Sequence, residues 1–159
     1  MLKIITICTG NICRSPVAQA LLKREFRQAG YVVCENGSSN SVDCDVFIDS
    51  AGTGGWHVGH GADDRSVRVC LENDIDISSH IARQFSAEEA EVFDHIFVMD
   101  RDNLLFLQGI IDKKYHHKIS MFSQDGEIKD PYYGGIDGFK KMFLQIQQSA
   151  KYIVKDCDL

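Results

Sequence analysis

Short apolar runs alternating with stretches of helical spacing predict an α/β chain: a single doubly wound, four-stranded parallel sheet with helices on both faces and a phosphate-binding loop after the first strand. Two observations carry this expectation. Runs at 2–7, 46–49, 95–99 and 118–122 each have strand length, and a segment of helical periodicity follows each of them. Cys8, Ser50 and Asp100 stand just past the ends of the first three runs, the edge at which open parallel sheets bind ligands.

Leu2-Lys3-Ile4-Ile5-Thr6-Ile7 reads as a buried strand. A loop then feeds a helix from Pro16 to about Ala29, with Ser15 as the expected N-cap and Pro16 at its first position. Val17, Ala18, Leu21, Leu22 and Phe26 form its apolar stripe; Lys23, Arg24 and Arg27 suit its C-terminal half, and Gly30 lies past its end. The stretch from Cys34 to Asp45 is rich in Asn, Gly and Ser, so a solvated excursion is expected there, inserted at about 34–45; Asn36-Gly37-Ser38 within it is formally a glycosylation sequon.

A strand over Val46–Asp49 precedes a helix from Asp64 to Asn73 with Val67 and Leu71 turned inward. Ser86-Ala87-Glu88-Glu89 is a capping box opening a short helix. His95–Met99 is a buried strand, Asn103–Gln108 is helical, His116-His117 is a solvated turn and Lys118–Phe122 is the fourth strand. The last helix, about Gly138–Lys155, carries a core stripe of Phe139, Met142, Phe143, Ile146, Ala150 and Ile153.

With 159 residues, 44% of them hydrophobic, and only two prolines, the chain is expected to fold as one domain, 1–159, without linkers or repeats. The N-terminal apolar run is too short for a signal peptide or a membrane span. A net charge of −6 argues against nucleic acid or a membrane surface as partner, so an anionic substrate must be captured by a local field. Six cysteines without a Cys-x-x-Cys pair read as mostly reduced thiols of a cytoplasmic protein. His57-x-x-His60 lacks acidic or cysteine partners at ligand spacing, so no metal is expected, and nothing calls for a cofactor.

The chemistry concentrates in Cys8-Thr9-Gly10-Asn11-Ile12-Cys13-Arg14-Ser15-Pro16. A loop between a strand and a helix start converges backbone N–H groups on an anion, and the helix dipole adds partial positive charge. A cysteine there is favoured as thiolate. Cys8 is the candidate nucleophile, and Arg14 the guanidinium fork that clamps phosphoryl oxygens. Gly10 lets the backbone turn its amides inward, Asn11 holds an unusual loop conformation, and Thr9, Ile12, Cys13 and Ser15 complete the cradle. Cys13 shares the loop, which allows a reversible disulfide protecting Cys8.

This string resembles the N-terminal signature of the low-molecular-weight protein tyrosine phosphatase family. Ser50-Ala51-Gly52-Thr53 with Trp56, Gly59, Asp63 and Arg65, then His80-Ile81-Ala82-Arg83-Gln84, Phe93-Asp94-x-Ile96-x-Val98-Met99-Asp100-x-x-Asn103 and Asp130-Pro131-Tyr132-Tyr133-Gly134 are similar to further family segments, in the family's order. The Cys34–Asp45 stretch departs from it by being longer.

The resemblance implies hydrolysis of phosphotyrosine and small aryl phosphates through a phosphocysteine intermediate, with Asp130 as general acid and then base. It also implies a network of Asn11, Ser15, Ser50 and His80 behind the loop. Trp56, Tyr132 and Tyr133 are expected to wall the substrate ring. The expected partners are phosphotyrosine proteins, and the expected state is a monomer with room for weak self-association. Three other activities stay open: a thioredoxin-coupled arsenate reductase, a non-enzymatic phosphate carrier and an arginine phosphatase. Asp130 argues against the first two, and the bulk of Ile12 argues against the third.

Overall fold

The computed structural model describes residues 1–35 and 43–157. It contains a five-stranded parallel sheet in the order β2-β3-β1-β4-β5. The strands are β1 (Leu2–Cys8), β2 (Val33–Cys34), β3 (Val46–Gly52), β4 (His95–Val98) and β5 (Ile119–Met121). The helices are α1 (Arg14–Gln28), α2 (Asp64–Leu71), α3 (Glu89–Val92), α4 (Arg101–Ile110) and α5 (Ile136–Asp156), with a 3-10 turn at Lys113–Lys118 before β5.

The four expected strands are all present, and β2 is an addition. Its two residues pair with Val46 and Phe47 at the sheet edge, too short a run to carry a period in sequence. The sequon Asn36-Gly37-Ser38 lies outside the described residues. Cys34 and Cys44 are paired as a disulfide with their Cα atoms 5.6 Å apart, which corrects the expectation of reduced thiols for these two. The excursion returns to its own base: Asp45 N–H donates to Val32 O at 2.9 Å and Val32 N–H to the Asp45 carboxylate at 2.7 Å, bringing the two cysteines together.

Side-chain alternation along β1 explains the layering. Ile4 and Cys8 face a core shared with α1, α2 and α5, where Leu21, Leu22, Phe26, Val69, Phe139 and Phe143 pack. Ile5 and Ile7 face the opposite core with Phe85, Ala90, Phe93, Leu107 and Ile111. Both faces of the central strand are dry, as a parallel sheet requires. In α2 the inward residues are Ser66, Val69 and Cys70, not Leu71, which is 53% exposed; the helix ends earlier than expected and its N-terminus is set by Asp63 accepting from Arg65 N–H. Of the expected Ser86–Glu89 box only one half forms: Ser86 N–H donates to the Glu89 carboxylate at 2.9 Å, while α3 takes Glu88 at its N-cap with no side-chain cap. Among the described residues no helix is long and apolar enough to cross a membrane.

The sheet order reverses at β1: the chain adds β3 on one side and β4 on the other. The loop after Cys8 therefore opens at the topological switch point.

Candidate active site

The loop from Cys8 to Arg14 is shaped from behind. Cys8 O accepts from Thr53 N–H at 2.9 Å, Thr9 O from Gly54 N–H at 2.9 Å and Ile12 O from Asp63 N–H at 2.8 Å. Asn11 O accepts from His80 Nε2 at 2.7 Å, and Cys13 O from the Ser66 hydroxyl at 3.0 Å. With the carbonyls drawn outward, the amides are left facing the concave side, the arrangement that binds an anion. Gly52 makes this possible, because a Cβ there would stand 2.8 Å from Thr9 O. The left-handed residue of the loop is Asn11, at φ 57°, and not Gly10. Gly10 is needed for a different reason: the His57 ring lies on it, 2.9 Å from where a Cβ would be.

The strain at Asn11 is held by its own side chain. Asn11 Nδ2 donates to the Ser15 hydroxyl at 2.8 Å and the Ser50 hydroxyl at 3.0 Å, while Asn11 Oδ1 accepts from Arg83 N–H at 3.0 Å. The Ser15 hydroxyl in turn lies 3.0 Å from the Cys8 sulfur. Asn11, Ser15, Ser50 and His80 thus converge on one network, extended by Gln19, whose Oε1 accepts from Ser50 at 2.8 Å. Ser15 does not cap α1 as expected: Cys13 is at the N-cap, no side chain caps the helix and no acid lies in its first turn. Its first N–H groups stay open for a bound anion.

Arg14 is 1% exposed and fully engaged on one edge. Its Nη1 donates to Asp100 Oδ2 at 2.6 Å and to Ile128 O at 2.8 Å, and its Nη2 to the Thr9 hydroxyl at 3.3 Å. Asn103 closes a ring around it: Asn103 Nδ2 donates to the same Thr9 hydroxyl at 3.2 Å, and Asn103 N–H to Asp100 Oδ1 at 2.8 Å, capping α4. Burial opposes the guanidinium charge, but the Cys8 sulfur, Asp100 and Asp130 outweigh it and raise the Arg14 pKa. The sequence marked Asp100 as a strand-end acid without its function; the cap spacing Asp100-x-x-Asn103 was the signal available for this bracket.

Cys8, Thr9, Ile12 and Arg14 form the floor of a cleft of about 330 Å³ whose rim is Trp56, His57, Asp130, Tyr132 and Tyr133. Trp56 is 73% exposed and Tyr133 93%, so neither serves a core. Tyr132 and Tyr133 meet edge to face at 5.0 Å. Asp130 Oδ2 lies 3.7 Å from Arg14 Nη2, and its Oδ1 accepts from Tyr132 N–H at 3.1 Å. The structure therefore brings all the sequence-named residues together: Cys8, Arg14 and Asp130 at the cleft, the network residues beneath it, the aromatics around it.

Two residues around the cleft were given no role by the sequence. His57, set aside as a stray metal ligand, packs between Gly10 and Tyr132, 6.1 Å from that ring. Arg65 anchors the Asp130 loop: it donates to Gly134 O at 2.7 Å and Tyr132 O at 3.0 Å while gripping Asp63 at 3.0 Å. Burial raises the Asp63 pKa, but Arg65 overrides it and holds the carboxylate below its ordinary range. Burial, Asp63, Cys8 and Asp130 together push the Cys13 thiol far above its usual pKa. Among the described residues no cluster of His, Cys, Asp and Glu could hold a metal. A larger cavity of about 620 Å³, lined by Gln19, Lys23, Ser79 and His80 among others, does not include Cys8, Arg14 or Asp130.

The sequence model of low molecular weight phosphotyrosine protein phosphatases matches residues 3–158. The chain is 34% identical over 160 residues to the phosphatase of that description from Schizosaccharomyces pombe, covering 97% of this chain and 96% of the relative. It is 36% identical over 149 residues to the one from Sus scrofa, covering 89% and 87%. Its fold superposes on a crystal structure of a protein tyrosine phosphatase from Entamoeba histolytica with a TM-score of 0.85 at 28% identity, covering 98% of this chain and 96% of that one. The chain belongs to the low molecular weight phosphotyrosine protein phosphatase family.

Proposed function

We propose that this protein tyrosine phosphatase works through Cys8, Arg14 and Asp130. The Cys8 thiolate attacks phosphorus; the sulfur–phosphorus bond forms as the bond to the tyrosyl oxygen breaks, and Asp130 delivers a proton to that oxygen. The leaving phenol has a pKa near ~10, so protonation is worth roughly 10²–10⁴ in rate. Water then attacks the phosphocysteine, its proton passes to Asp130, and phosphate leaves with Cys8 restored. The amides of Thr9 to Ser15 and the Arg14 fork carry the charge on the transferring group, while Asn11, Ser15, Ser50 and His80 keep the loop in shape. Trp56, Tyr132 and Tyr133 take the aryl ring, and no metal or cofactor enters a step.

One observation supports this assignment above the others: Cys8 at the base of an outward-pinned loop, with Arg14 and Asp130 3.7 Å apart at the same cleft. The substrates are phosphotyrosine proteins and small aryl phosphates, handled by a monomeric single domain, 1–159, in the cytoplasm, where Cys8 stays reduced. Cys8→Ser is expected to abolish turnover while phosphate still binds; substantial residual hydrolysis would overturn the mechanism. Assays on an aryl phosphate, phosphoarginine and arsenate should show activity on the first alone.

A further inference from the structure

A second cleft, of about 380 Å³, lies directly behind the Asp130 loop, between that loop and α5. It shares Asp130 and Tyr133 with the cleft over Cys8, so the loop is a thin partition with one opening on each side. Its floor is apolar, with buried Pro131 and with Met142 only 2% exposed. Its rim carries Lys129 and Lys141, both exposed, and neither has a carboxylate partner among the described residues. The acid of this rim other than Asp130 is Glu127, whose carboxylate accepts from Arg101 N–H at 2.8 Å.

We propose that this second cleft is a substrate subsite that takes an acidic side chain neighbouring the phosphotyrosine. The inference rests on the phosphatase assignment above and names the substrate class of the same site. Continuity sets the reach: an extended peptide advances roughly 3.3–3.6 Å per residue, so a residue one or two places from the phosphotyrosine passes over exposed Tyr133 into the cleft. Charge sets the sign. Both clefts share the Asp130 carboxylate; the first adds an Arg14 already bound to Asp100, whereas the second adds two lysines without a carboxylate partner among the described residues, beside a Glu127 carboxylate that accepts from Arg101 N–H. Met142 and Pro131 take the methylenes of a glutamate, while its carboxylate meets Lys129 and Lys141 at the rim.

The test is a panel of phosphotyrosine peptides on a neutral background, with a single Glu at each of the two positions before and after the phosphotyrosine. The readout is the ratio of kcat/KM for each acidic peptide to that for the neutral one. Nitrophenyl phosphate, which has no flanking residue, serves as the reference rate for each variant. At low salt at least one position should give a ratio of roughly threefold to tenfold, as expected for exposed ion pairs, and added salt should erase it. Lys141→Glu should drive that ratio below one, and Lys129→Gln should reduce it. Because Lys129 adjoins Asp130, its variant is judged on the ratio alone. Equal rates on acidic and neutral peptides, or a preference that survives Lys141→Glu, would overturn the proposal. Failure to hydrolyse nitrophenyl phosphate and every peptide would instead overturn the phosphatase mechanism.

Discussion

Arg14 sits in a bracket rather than a simple ion pair, and the weakest-looking member of that bracket is informative. The Thr9 hydroxyl accepts from both Arg14 and Asn103, so it fixes the free edge of the guanidinium. A hydrogen bond to a charged group is worth roughly 1.5–3 kcal/mol, so Thr9→Val should lower kcat/KM about tenfold, with vanadate affinity falling in step. Thr9→Ser should recover most of both; equal loss in the two variants would mean that only packing is felt. Cys13 bears on oxidation. Its thiol is held protonated, so closure of a Cys8–Cys13 disulfide after peroxide treatment should be slow at neutral pH and quicken as pH rises. Peptide mapping of samples quenched with an alkylating agent reads this directly. His80 bears on stability. Burial lowers its pKa, against the pull of the Asn11 carbonyl and Asp49. The unfolded chain therefore takes up a proton where the folded chain does not, so this contribution is full above ~6.5 and is lost as pH falls from there toward the folded value. Urea midpoints at about pH 7.5 and about pH 5.5 should differ less in His80→Gln than in the parent protein.

At the scale of elements, the Asp130 loop is anchored through α2. Arg65, at the start of that helix, holds two carbonyls of the loop and rests 4.3 Å over the Phe139 ring of α5. Arg65→Met should leave the Cys8 loop in place but free the acid. Loss of rate should then be larger on phosphotyrosine than on nitrophenyl phosphate, whose leaving group needs no proton, and Asp130→Ala should show the same asymmetry more strongly. Equal impairment on both substrates would assign Asp130 to loop shape alone. The α1–α5 seam makes the matching stability prediction: Phe26 is 0% exposed within the larger core, so Phe26→Ala should cost roughly 3–5 kcal/mol in the urea transition. These contacts also mark where sequence reading stops. The stripe of α1 announced Phe26 by its period, whereas Arg65 reaching two carbonyls of a loop nearly seventy positions away leaves no periodic trace.

Across the whole molecule, the sheet was legible wherever a strand is buried on both faces, because such strands must be continuous apolar runs. Edge strands have no such obligation: β5 was read from its apolar residues despite an exposed Ser120, whereas β2, only two residues long, went unread, as did the Cys34–Cys44 bridge, which depends on how the excursion returns. The site was legible where chemistry demands residue types at fixed spacing, as in Cys8 to Arg14. It was not where a side chain acts by position, as with His57, which metal-ligand spacing could only suggest and discard. The sheet order carries a last consequence, for the route by which the protein is made. β1 leaves the ribosome before the other strands yet lies at the centre, flanked by β3 and β4, and Arg14 is not fully held until Asp100 and Ile128 have been synthesised. The N-terminal signature is thus inert in the nascent chain, and its competence is a late event requiring contacts of high sequence separation. In refolding from urea, helical circular dichroism should return ahead of phosphatase activity, and a phosphate analogue should raise the urea midpoint by binding only the finished loop.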